Sequence, residues 1–361
     1  MRVVVIGGLG NFGARICKRL AQESALEIIA TSRRPPRQSG PVRTAALDID
    51  DPNLTADLKA LSPELVIHCA GPFQGQHYRV ALASMACKAN YIDLADGRDF
   101  VAGFVRAVEP AAVAAGRVAI TGASTLPALS SAVVDSLKET FESMNTIDIV
   151  IAPGQRTPRG AATMAAVLGY AGRPFRWWQS GAWNTAYGWQ ELKRKQFSFG
   201  NRLAAACDVP DLELLPGRYP GVETVTFRAA LEVSLAHIGL WTIAACRRMR
   251  LPLPVAKWGS GLDRIGTWLN RFGSDRGGMT VQVIGTNALG ESQCRSWELL
   301  AEANHGPEIP CMAAIVLAHR FRHGNAFVPG AKVCMGLLEL SEFEPEFARW
   351  KISAQIKDST L

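Results

Sequence analysis

Short apolar runs alternate with longer amphipathic segments along the N-terminal part of the chain. The first apolar run covers residues 2–6, and a helical pattern from Asn11 to about Gln22 follows it. Further strand-like runs cover 26–31, 42–47, 65–70, 90–94 and 117–121, and further helical patterns cover 54–60, 77–88, 100–115 and 126–141. Short buried strands separated by helices are typical of a doubly wound parallel sheet. The pattern predicts an α/β protein that begins with a Rossmann sheet.

The pattern changes after about residue 145. Alternating sequences at 279–286 and 292–303 flank the turn-like NALGE and predict an antiparallel hairpin, and a Pro-initiated helix is predicted over Ile309–Phe321. We expect a first domain over residues 1–145, with helices from 307–361 as candidates to complete it. A second domain of α/β (α+β) type is expected over 146–306.

Two apolar segments of the second domain raise the question of membrane contact. Residues 229–246 approach the length of a spanning helix, but Glu232 and His237 interrupt them, so a buried helix is the favoured interpretation. Residues 257–272 place Trp and Leu near helical spacing with Lys and Arg between them. Peripheral membrane contact or a dimer interface is open for this segment, and an ordinary packing helix is favoured over both.

Composition narrows the class of protein. With 361 residues and 48% hydrophobic residues, the chain is long and apolar enough for two or three folded domains. The net charge of +7 fits nucleic acid, an anionic membrane or a phosphorylated ligand, but no basic helix or aromatic RNA-binding motif supports nucleic acid as a partner. Eight scattered cysteines predict buried free thiols in a reducing compartment. No signal-peptide pattern is found, so a cytoplasmic protein is expected.

The stretch VVVIGGLGNFGARI carries the first chemical signal. Gly8, Gly10 and Gly13 form G-x-G-x-x-G between a predicted strand and a predicted helix, with Asn11 and Phe12 inside the motif. Gly8 permits the tight turn, Gly10 lets the backbone approach a pyrophosphate, and Gly13 lets helix and strand pack closely. The motif predicts a dinucleotide whose phosphates lie at the helix N-terminus.

The end of the second strand bears on which dinucleotide binds. An NAD-binding domain usually places an acidic residue there against the ribose 2′-hydroxyl, whereas this chain has Ser32, Arg33 and Arg34. A hydroxyl and two guanidinium groups can bind a 2′-phosphate. The sequence therefore predicts NADP(H), with a solvated basic loop as the alternative.

Other strand ends complete the predicted cofactor site. Asp48 follows the third strand and is a candidate acceptor for the adenine amine. Cys69, Ala70, Gly71 and Pro72 follow the fourth strand, where a ligand crossing the carboxyl edge of the sheet must pass. Cys69 is interpreted as a wall residue rather than a nucleophile, since no His and Asp partners accompany it.

The segments CAGPFQGQHYRVALASMACKANYIDLADGRDF and GASTLPALSSAVVDSL, together with the glycine motif, resemble the saccharopine dehydrogenase-like (saccharopine reductase) family. The resemblance implies an NADP-binding Rossmann domain and an α/β domain for substrate binding and dimerisation. It also implies C-terminal helices packed on the Rossmann domain, a homodimer and a small-molecule substrate. The implied reaction is oxidation of a secondary amine of an amino-acid adduct, or reduction of an imine.

The resemblance also implies roles for individual residues. The pyrophosphate loop would comprise Gly8, Gly10, Asn11, Phe12 and Gly13, and Ala70, Gly71 and Pro72 would lie beside the nicotinamide ribose. Asp93 would lie near the substrate, and Ser124 would face the nicotinamide. Phe73, next to Pro72 in the sequence, is a further candidate for substrate contact. The saccharopine enzymes have a Pro-Gly pair in the corresponding turn, whereas this chain has Pro127 followed by Ala128. Saccharopine itself is therefore not expected as the substrate.

Candidate acid, base and substrate-binding residues are few. Asp93 is a candidate to offset the charge of an iminium, with a helix cap or a pair with Arg98 as the alternatives. His77 is a candidate general acid or base, whereas His68 is interpreted as a core histidine. Arg156 is a candidate for a substrate carboxylate, with a solvated loop equally open.

No metal site is expected, because His305, His319 and His323 lack a convincing ligand set. The sequence thus favours an NADP-dependent oxidoreductase acting on a C–N substrate. The alternative is a non-catalytic NADP-binding scaffold or a membrane-peripheral protein.

Overall fold

The structure, a computed structural model, describes residues 1–35, 42–158, 167–251, 266–324 and 327–360. Its strands are β1 (Arg2–Ile6), β2 (Glu27–Ser32), β3 (Arg43–Ala46), β4 (Leu65–His68), β5 (Asn90–Asp93), β6 (Val118–Thr121), β7 (Ser143–Ala152), β8 (Pro174–Gln179), β9 (Ala182–Tyr187), β10 (Lys193–Phe197), β11 (Gly200–Ala206), β12 (Thr224–Leu231), β13 (Gly277–Thr286), β14 (Ser292–Ala301), β15 (Gly330–Val333) and β16 (Ser353–Thr360). Its α-helices are α1 (Asn11–Leu20), α2 (Leu54–Ala60), α3 (Arg79–Ala86), α4 (Arg98–Ala115), α5 (Ser130–Lys138), α6 (Asp211–Arg218), α7 (Ser234–Arg248), α8 (Ile309–Arg322) and α9 (Glu344–Arg349).

These elements form two compact units. Unit 1 comprises Met1–Leu129 and Pro307–Leu338, and unit 2 comprises Ser130–Gly306 and Glu339–Leu361. Unit 1 ends before residue 145, the expected end of the first domain, because α5 packs on β7, β13 and β14 of unit 2.

Unit 1 contains a parallel sheet in the order β15-β6-β5-β4-β1-β2-β3. Helices α1, α3 and α4 pack on strands of the sheet, and β1 and β4 are apolar and buried along nearly their whole length. The predicted doubly wound Rossmann sheet is confirmed. Helix α8 packs on α1, and β15 adds a parallel strand beside β6 that the sequence pattern does not predict.

Unit 2 contains a mixed sheet in the order β10-β11-β12-β7-β13-β14-β16, with β8 paired to β12 and β9. The predicted antiparallel hairpin is present as β13 and β14. The tail, which the pattern indicates as a further amphipathic piece, contains the short helix α9 and then β16, which pairs antiparallel with β14. A second α/β domain is therefore confirmed as a fold.

The interpretation of residues 229–246 as one buried helix is wrong. The stretch contains the end of strand β12 and then helix α7, and the break falls at Glu232 and Val233. Helix α7 lies at the surface, where Leu235 is 70% exposed, whereas its inner face buries His237. No helix within the described residues combines the length and the apolar character needed to cross a bilayer.

Most of the segment 257–272 lies outside the described residues. In its described part Trp268 is 55% exposed, Leu269 is buried, and the Arg271 guanidinium lies 3.8 Å from the centre of the Trp268 ring. Membrane contact by this segment stays a prediction.

Candidate functional site

The turn after β1 can form only with small residues. Gly7 has a φ of +74°, and the Gly8 N–H donates to the carbonyls of Val5 and Thr31 at 3.1 and 3.0 Å. A Cβ added at Gly13 would lie 2.2 Å from the Gly7 carbonyl oxygen, and one at Gly8 would lie 2.8 Å from the Ala30 Cβ. Both approaches are shorter than van der Waals contact, so glycine lets α1 start directly against β1.

Helix α1 begins with its amide groups open to a ligand. Its cap residue is Gly10, no side chain caps it, and no acidic residue lies in its first turn. The first N–H groups of a helix have no partner within the helix, and the helix dipole favours an anion there. The predicted loop residues lie together at this end: Gly10 is exposed, Asn11 and Phe12 are half-buried, and Gly8 and Gly13 are buried.

The carboxyl ends of β2 and β3 form the next part of the site. The Ser32 Oγ is buried and has no hydrogen-bond partner among the described residues. Arg33 and Arg34, which follow it, are exposed. The Asp48 carboxylate accepts a hydrogen bond from the Asp50 N–H at 3.1 Å, and Asp48 is half-buried. A buried hydroxyl without a partner beside two exposed guanidinium groups is suited to a phosphate.

The loop after β4 lies against the glycine turn. The Cys69 N–H donates to the Ile6 carbonyl at 2.8 Å, and a Cβ at Gly7 would lie 3.0 Å from the Ala70 nitrogen. The side chain of Gln76 donates to the carbonyls of Ala70 and Pro72 at 2.8 and 2.7 Å. Gln76 therefore fixes this loop, and no sequence signal distinguishes it from a solvated loop residue.

Cys69 is half-buried, and desolvation by the surrounding protein raises the pKa of the Cys69 thiol well above its usual range. A neutral thiol is a poor nucleophile. The chemistry of Cys69 thus agrees with a wall residue. Gly71 and Pro72, which follow it, are exposed.

Phe73 and His68 belong to an aromatic cluster inside unit 1. Phe73 is buried, and its ring centre lies 5.0 Å from that of His68 and 5.4 Å from that of Phe100. The His68 Nδ1 lies 3.1 Å from the Tyr91 hydroxyl, and its Nε2 has no partner among the described residues. Burial lowers the pKa of His68 to about 4, so the ring is neutral at pH 7. His68 is a core histidine, as the sequence indicates.

Asp93 lies at the centre of a buried hydrogen-bond network. Its Oδ1 accepts hydrogen bonds from the Thr121 hydroxyl and the Gly122 N–H, both at 2.8 Å, and from the Ala95 N–H at 3.0 Å. Its Oδ2 has no partner among the described residues. Burial raises the pKa of Asp93 to about 6, although these donors favour the ionised form. The carboxylate ties the end of β5 to the turn after β6, and it does not cap α4, whose cap residue is Gly97.

The remaining predicted residues have separate positions. His77 is exposed and precedes α3, which starts at Arg79 rather than at residue 77. Ser124 is half-buried, and its N–H donates to the Gly122 carbonyl at 2.8 Å. Arg156 belongs to unit 2, where its Nε donates to the Asn270 carbonyl at 3.2 Å. The structure therefore brings Ser124 to the Asp93 network, but it does not place His77 or Arg156 in it.

Helix α5 begins later than the sequence pattern indicates. Residues Thr125–Leu129 form a π-type turn in which Leu126 has an extended conformation, and the α-helix starts at Ser130. This turn follows Ser124 directly. Within the described residues, no group of three His, Cys, Asp or Glu side chains is arranged to hold a metal ion.

Comparisons with known proteins agree with this architecture. The NAD dependent epimerase/dehydratase family model matches residues 3–111, which contain the glycine turn and strands β1 to β5. The search of curated protein sequences gives no match.

Solved structures match over nearly the whole chain. Saccharopine dehydrogenase (L-Glu forming) from Saccharomyces cerevisiae has a TM-score of 0.69 at 13% identity, covering 99% of this chain and 100% of that chain. Homospermidine synthase from Legionella pneumophila, solved with NAD, has a TM-score of 0.61 at 10% identity, covering 99% and 91%. DAP dehydrogenase from C. glutamicum, solved with DAP, has a TM-score of 0.50 at 14% identity, covering 96% and 98%.

The parallel sheet of unit 1 and the glycine turn after β1 together define a two-unit protein of the Rossmann class. Its architecture is a saccharopine dehydrogenase-like fold, which extends over both units rather than over the Rossmann sheet alone. The resemblance found in the sequence is thereby confirmed at the level of the fold.

Proposed function

We propose that this protein is an NADP(H)-dependent oxidoreductase that transfers hydride between the nicotinamide and a C–N bond of a small molecule. The observation that carries the proposal is the uncapped N-terminus of α1, reached by a turn that only glycines permit. Support for a C–N substrate comes from the shared fold with saccharopine dehydrogenase and homospermidine synthase. We assign cofactor binding to unit 1 and substrate binding and dimerisation to unit 2.

The residues at the carboxyl edge of the unit 1 sheet fit the cofactor. In the proposal the amides of Asn11, Phe12 and Gly13 hold the pyrophosphate, and the unpartnered Ser32 hydroxyl with Arg33 and Arg34 holds the 2′-phosphate. Asp48 accepts from the adenine amine, and Cys69 to Pro72 line the nicotinamide ribose. When bound, the cofactor supplies or accepts the hydride.

In the proposal the protein contributes mainly position and charge. Removing hydride from the carbon of an amine leaves positive charge on nitrogen, which a carboxylate next to the substrate would offset. Because Asp93 is fully buried, we propose that it acts through the turn it holds, which presents Ser124. His77, at the exposed surface, remains the candidate proton donor or acceptor. The substrate contacts assigned to Phe73 and Arg156 stay predictions.

The preference for NADP(H) can be tested by equilibrium binding of NADPH and NADH, followed by cofactor fluorescence. The wild-type protein is expected to bind NADPH more tightly. Replacing both Arg33 and Arg34 with Gln should weaken NADPH binding by about tenfold or more and leave NADH binding nearly unchanged, because two charge-assisted contacts to the 2′-phosphate are lost. Lys18→Gln, at an exposed position of α1, is the charge control. Tighter binding of NADH by the wild-type protein would refute the assignment.

Catalysis requires a separate measurement. The change in NADPH absorbance is followed across a panel of amines paired with keto acids, and substrate-dependent oxidation is expected. Saccharopine is expected to be a poor substrate in the reverse direction, since Pro127 is followed by Ala128 rather than by glycine.

A non-catalytic NADP-binding scaffold is the second candidate function. The complete burial of Asp93 and the isolation of His77 from its network favour it, because no described acid or base is then shown beside the substrate. Tight NADPH binding without turnover across the whole panel would support the scaffold and contradict the oxidoreductase.

A further inference from the structure

A group of charged side chains lies inside unit 2, and we refer to Asp148, Lys193, Lys195 and Arg228 as the Asp148 cluster. Asp148 on β7 is 3% exposed. Its carboxylate lies 3.4 Å from the Lys193 Nζ, 3.6 Å from the Lys195 Nζ and 3.0 Å from the Arg228 Nη1. Strands β7, β10 and β12 contribute these four side chains.

The β10–β11 hairpin forms one edge of the unit 2 sheet and makes polar contacts with strands β13 and β14. The Lys195 Nζ donates to the Gln282 side chain on β13 at 2.9 Å. The Ser198 N–H, in the turn of the hairpin, donates to the Glu298 carboxylate on β14 at 2.7 Å. The hairpin thus contacts polar side chains of β13 and β14 in addition to Asp148.

The cluster has an excess of positive charge. Three cations share the single carboxylate of Asp148. Two other cations of unit 2 are matched one to one: Arg202 pairs with Glu232 at 3.0 Å, and Lys357 pairs with Glu298 at 3.1 Å. Within the part of the chain that the structure describes, the Asp148 cluster therefore carries two positive charges without a carboxylate of their own.

The titration behaviour of the cluster agrees with this imbalance. Burial alone would raise the pKa of Asp148, but the neighbouring cations, led by Lys195, bring it below its usual range. The pKa of Lys195 is lowered by burial and by the charge of Lys193, against the attraction of Asp148. The carboxylate is thus well compensated, whereas the cations are not.

Arg228 leaves a donor unused in this environment. Its Nη1 donates to Asp148 and to the Thr226 hydroxyl, each at 3.0 Å. Its Nε is buried and has no hydrogen-bond partner among the described residues. The guanidinium lies 5.5 Å from the centre of the buried Trp177 ring, which limits its access to water. A buried guanidinium donor without a partner costs free energy unless an acceptor can reach it.

We infer that Lys193, Lys195 and Arg228 form a binding site for a small oxyanion, a carboxylate or phosphoryl group of a ligand, which shares these cations with Asp148. Ligand access is through Lys193, whose side chain is 51% exposed. An oxyanion would neutralise the excess charge and can accept from several donors at once. The site needs no dinucleotide, so it stands apart from the proposed oxidoreductase function.

Calorimetric titration of the full chain at low ionic strength tests the site, with glutarate and inorganic phosphate as separate probes. Single-site saturable binding of at least one probe is expected, and the probe that binds identifies a carboxylate or a phosphoryl source. Lys193→Gln should weaken it by about fivefold or more, since one charge-assisted contact is lost. Arg194→Gln removes the same charge from the adjacent, exposed position of β10, where side chains alternate between faces, and should change it by less than about twofold.

A second variant tests the same site without substituting Lys193, Lys195 or Arg228, in case those substitutions disturb folding. Asp148→Asn removes the negative charge that competes for the cations, so oxyanion binding is expected to tighten. Circular dichroism verifies that each variant is folded. Equal weakening by Lys193→Gln and Arg194→Gln, or no saturable binding of either probe by the wild-type protein and Asp148→Asn, would overturn the inference.

Discussion

At the scale of single residues, a few close approaches decide what the carboxyl edge of the unit 1 sheet can bind. The tightest involves Gly13, where an added Cβ would lie 2.2 Å from a backbone oxygen that cannot move aside as a flexible side chain would. The buried Ser32 hydroxyl has the opposite character, since it has no hydrogen-bond partner among the described residues. The crowded backbone and the unpartnered hydroxyl are the two features on which the proposed phosphate-binding site depends.

Gly13→Ala is expected to displace the glycine turn from α1 and to weaken NADPH binding by about tenfold or more. The forced overpacking should also lower the free energy of unfolding by about 1–3 kcal/mol. Cofactor fluorescence and urea denaturation measure the two effects. Gly217→Ala is the control, because a Cβ there meets no atom within 4 Å. Wild-type NADPH affinity in Gly13→Ala would show that the close approach does not control binding.

At the scale of elements, two interactions connect helices that are distant in sequence. In unit 2 the Ser130 hydroxyl at the start of α5 donates to the Asp211 carboxylate at the start of α6. In unit 1 Arg15 of α1 pairs with Glu308, the residue before α8. Both carboxylates are buried, so each of these two polar contacts is made in a region of low dielectric.

Asp211 makes stability depend on pH. Burial raises its pKa from the ordinary value of 3.8 to about 7, so the folded protein retains a proton that the unfolded chain releases. Stability is therefore fully present below about pH 4 and falls as pH rises toward 7, by up to about 1.4 kcal/mol per pH unit. Asp93 adds to this trend, since burial also raises its pKa, to about 6.

Asp211→Asn is expected to flatten this decline while keeping an acceptor for Ser130. Urea denaturation between pH 4 and 8 measures the slope. Asp57→Asn, at an exposed position of α2, is the control and should follow the wild-type profile. A profile for Asp211→Asn as steep as that of the wild-type protein would contradict the prediction.

The Arg15–Glu308 pair is expected to hold α8 against α1. Glu308→Ala leaves the partly buried guanidinium of Arg15 without its carboxylate and should lower the free energy of unfolding by about 2 kcal/mol. Glu302→Ala breaks the exposed Arg276–Glu302 pair, which has a 2.8 Å contact, and should cost less than about 0.5 kcal/mol. Equal losses in the two variants would mean that burial does not distinguish the pairs.

At the scale of the whole molecule, we propose different binding functions for the two sheets. The parallel sheet of unit 1 gathers its strand ends at one edge, as cofactor binding requires, whereas the mixed sheet of unit 2 carries the Asp148 cluster on one face. The saccharopine dehydrogenase-like fold comprises both units, although the matching family model covers residues 3–111 alone.

NADPH is expected to stabilise the protein by about 2.7 kcal/mol at a free concentration of about 100 times its Kd. Hydrogen exchange should slow at residues 7–14, 30–34 and 69–73 of unit 1, whose amides line the proposed site. The hairpin of β13 and β14 in unit 2 provides an internal reference. Unchanged exchange in all three unit 1 segments at saturating NADPH would contradict the proposed cofactor position.

Local patterns proved sufficient where neighbours in sequence are also neighbours in space. The glycine turn, the alternation of buried strands and helices in unit 1, and the hairpin of β13 and β14 were all predictable, since period and turn chemistry act over a few residues. The structure of the apolar run at 229–246 was not predictable in this way. Its length is that of one helix, but its first residues belong to strand β12, which pairs with β7. Strands β15 and β16 are short or polar and exist only through their pairing with β6 and β14.

The sequence by itself therefore determined the class of fold and the glycine turn at the sheet edge where we propose that a dinucleotide binds, because both follow from periodicity and from glycine sterics. Only the tertiary structure decided which polar groups meet. It buried Asp93 under the turn at Gly122, placed Gln76 on the loop after β4, and brought Lys193, Lys195 and Arg228 to one carboxylate. Such contacts depend on which strands pair and on which loops lie next to each other. This long-range pairing does not produce a periodic pattern in the sequence.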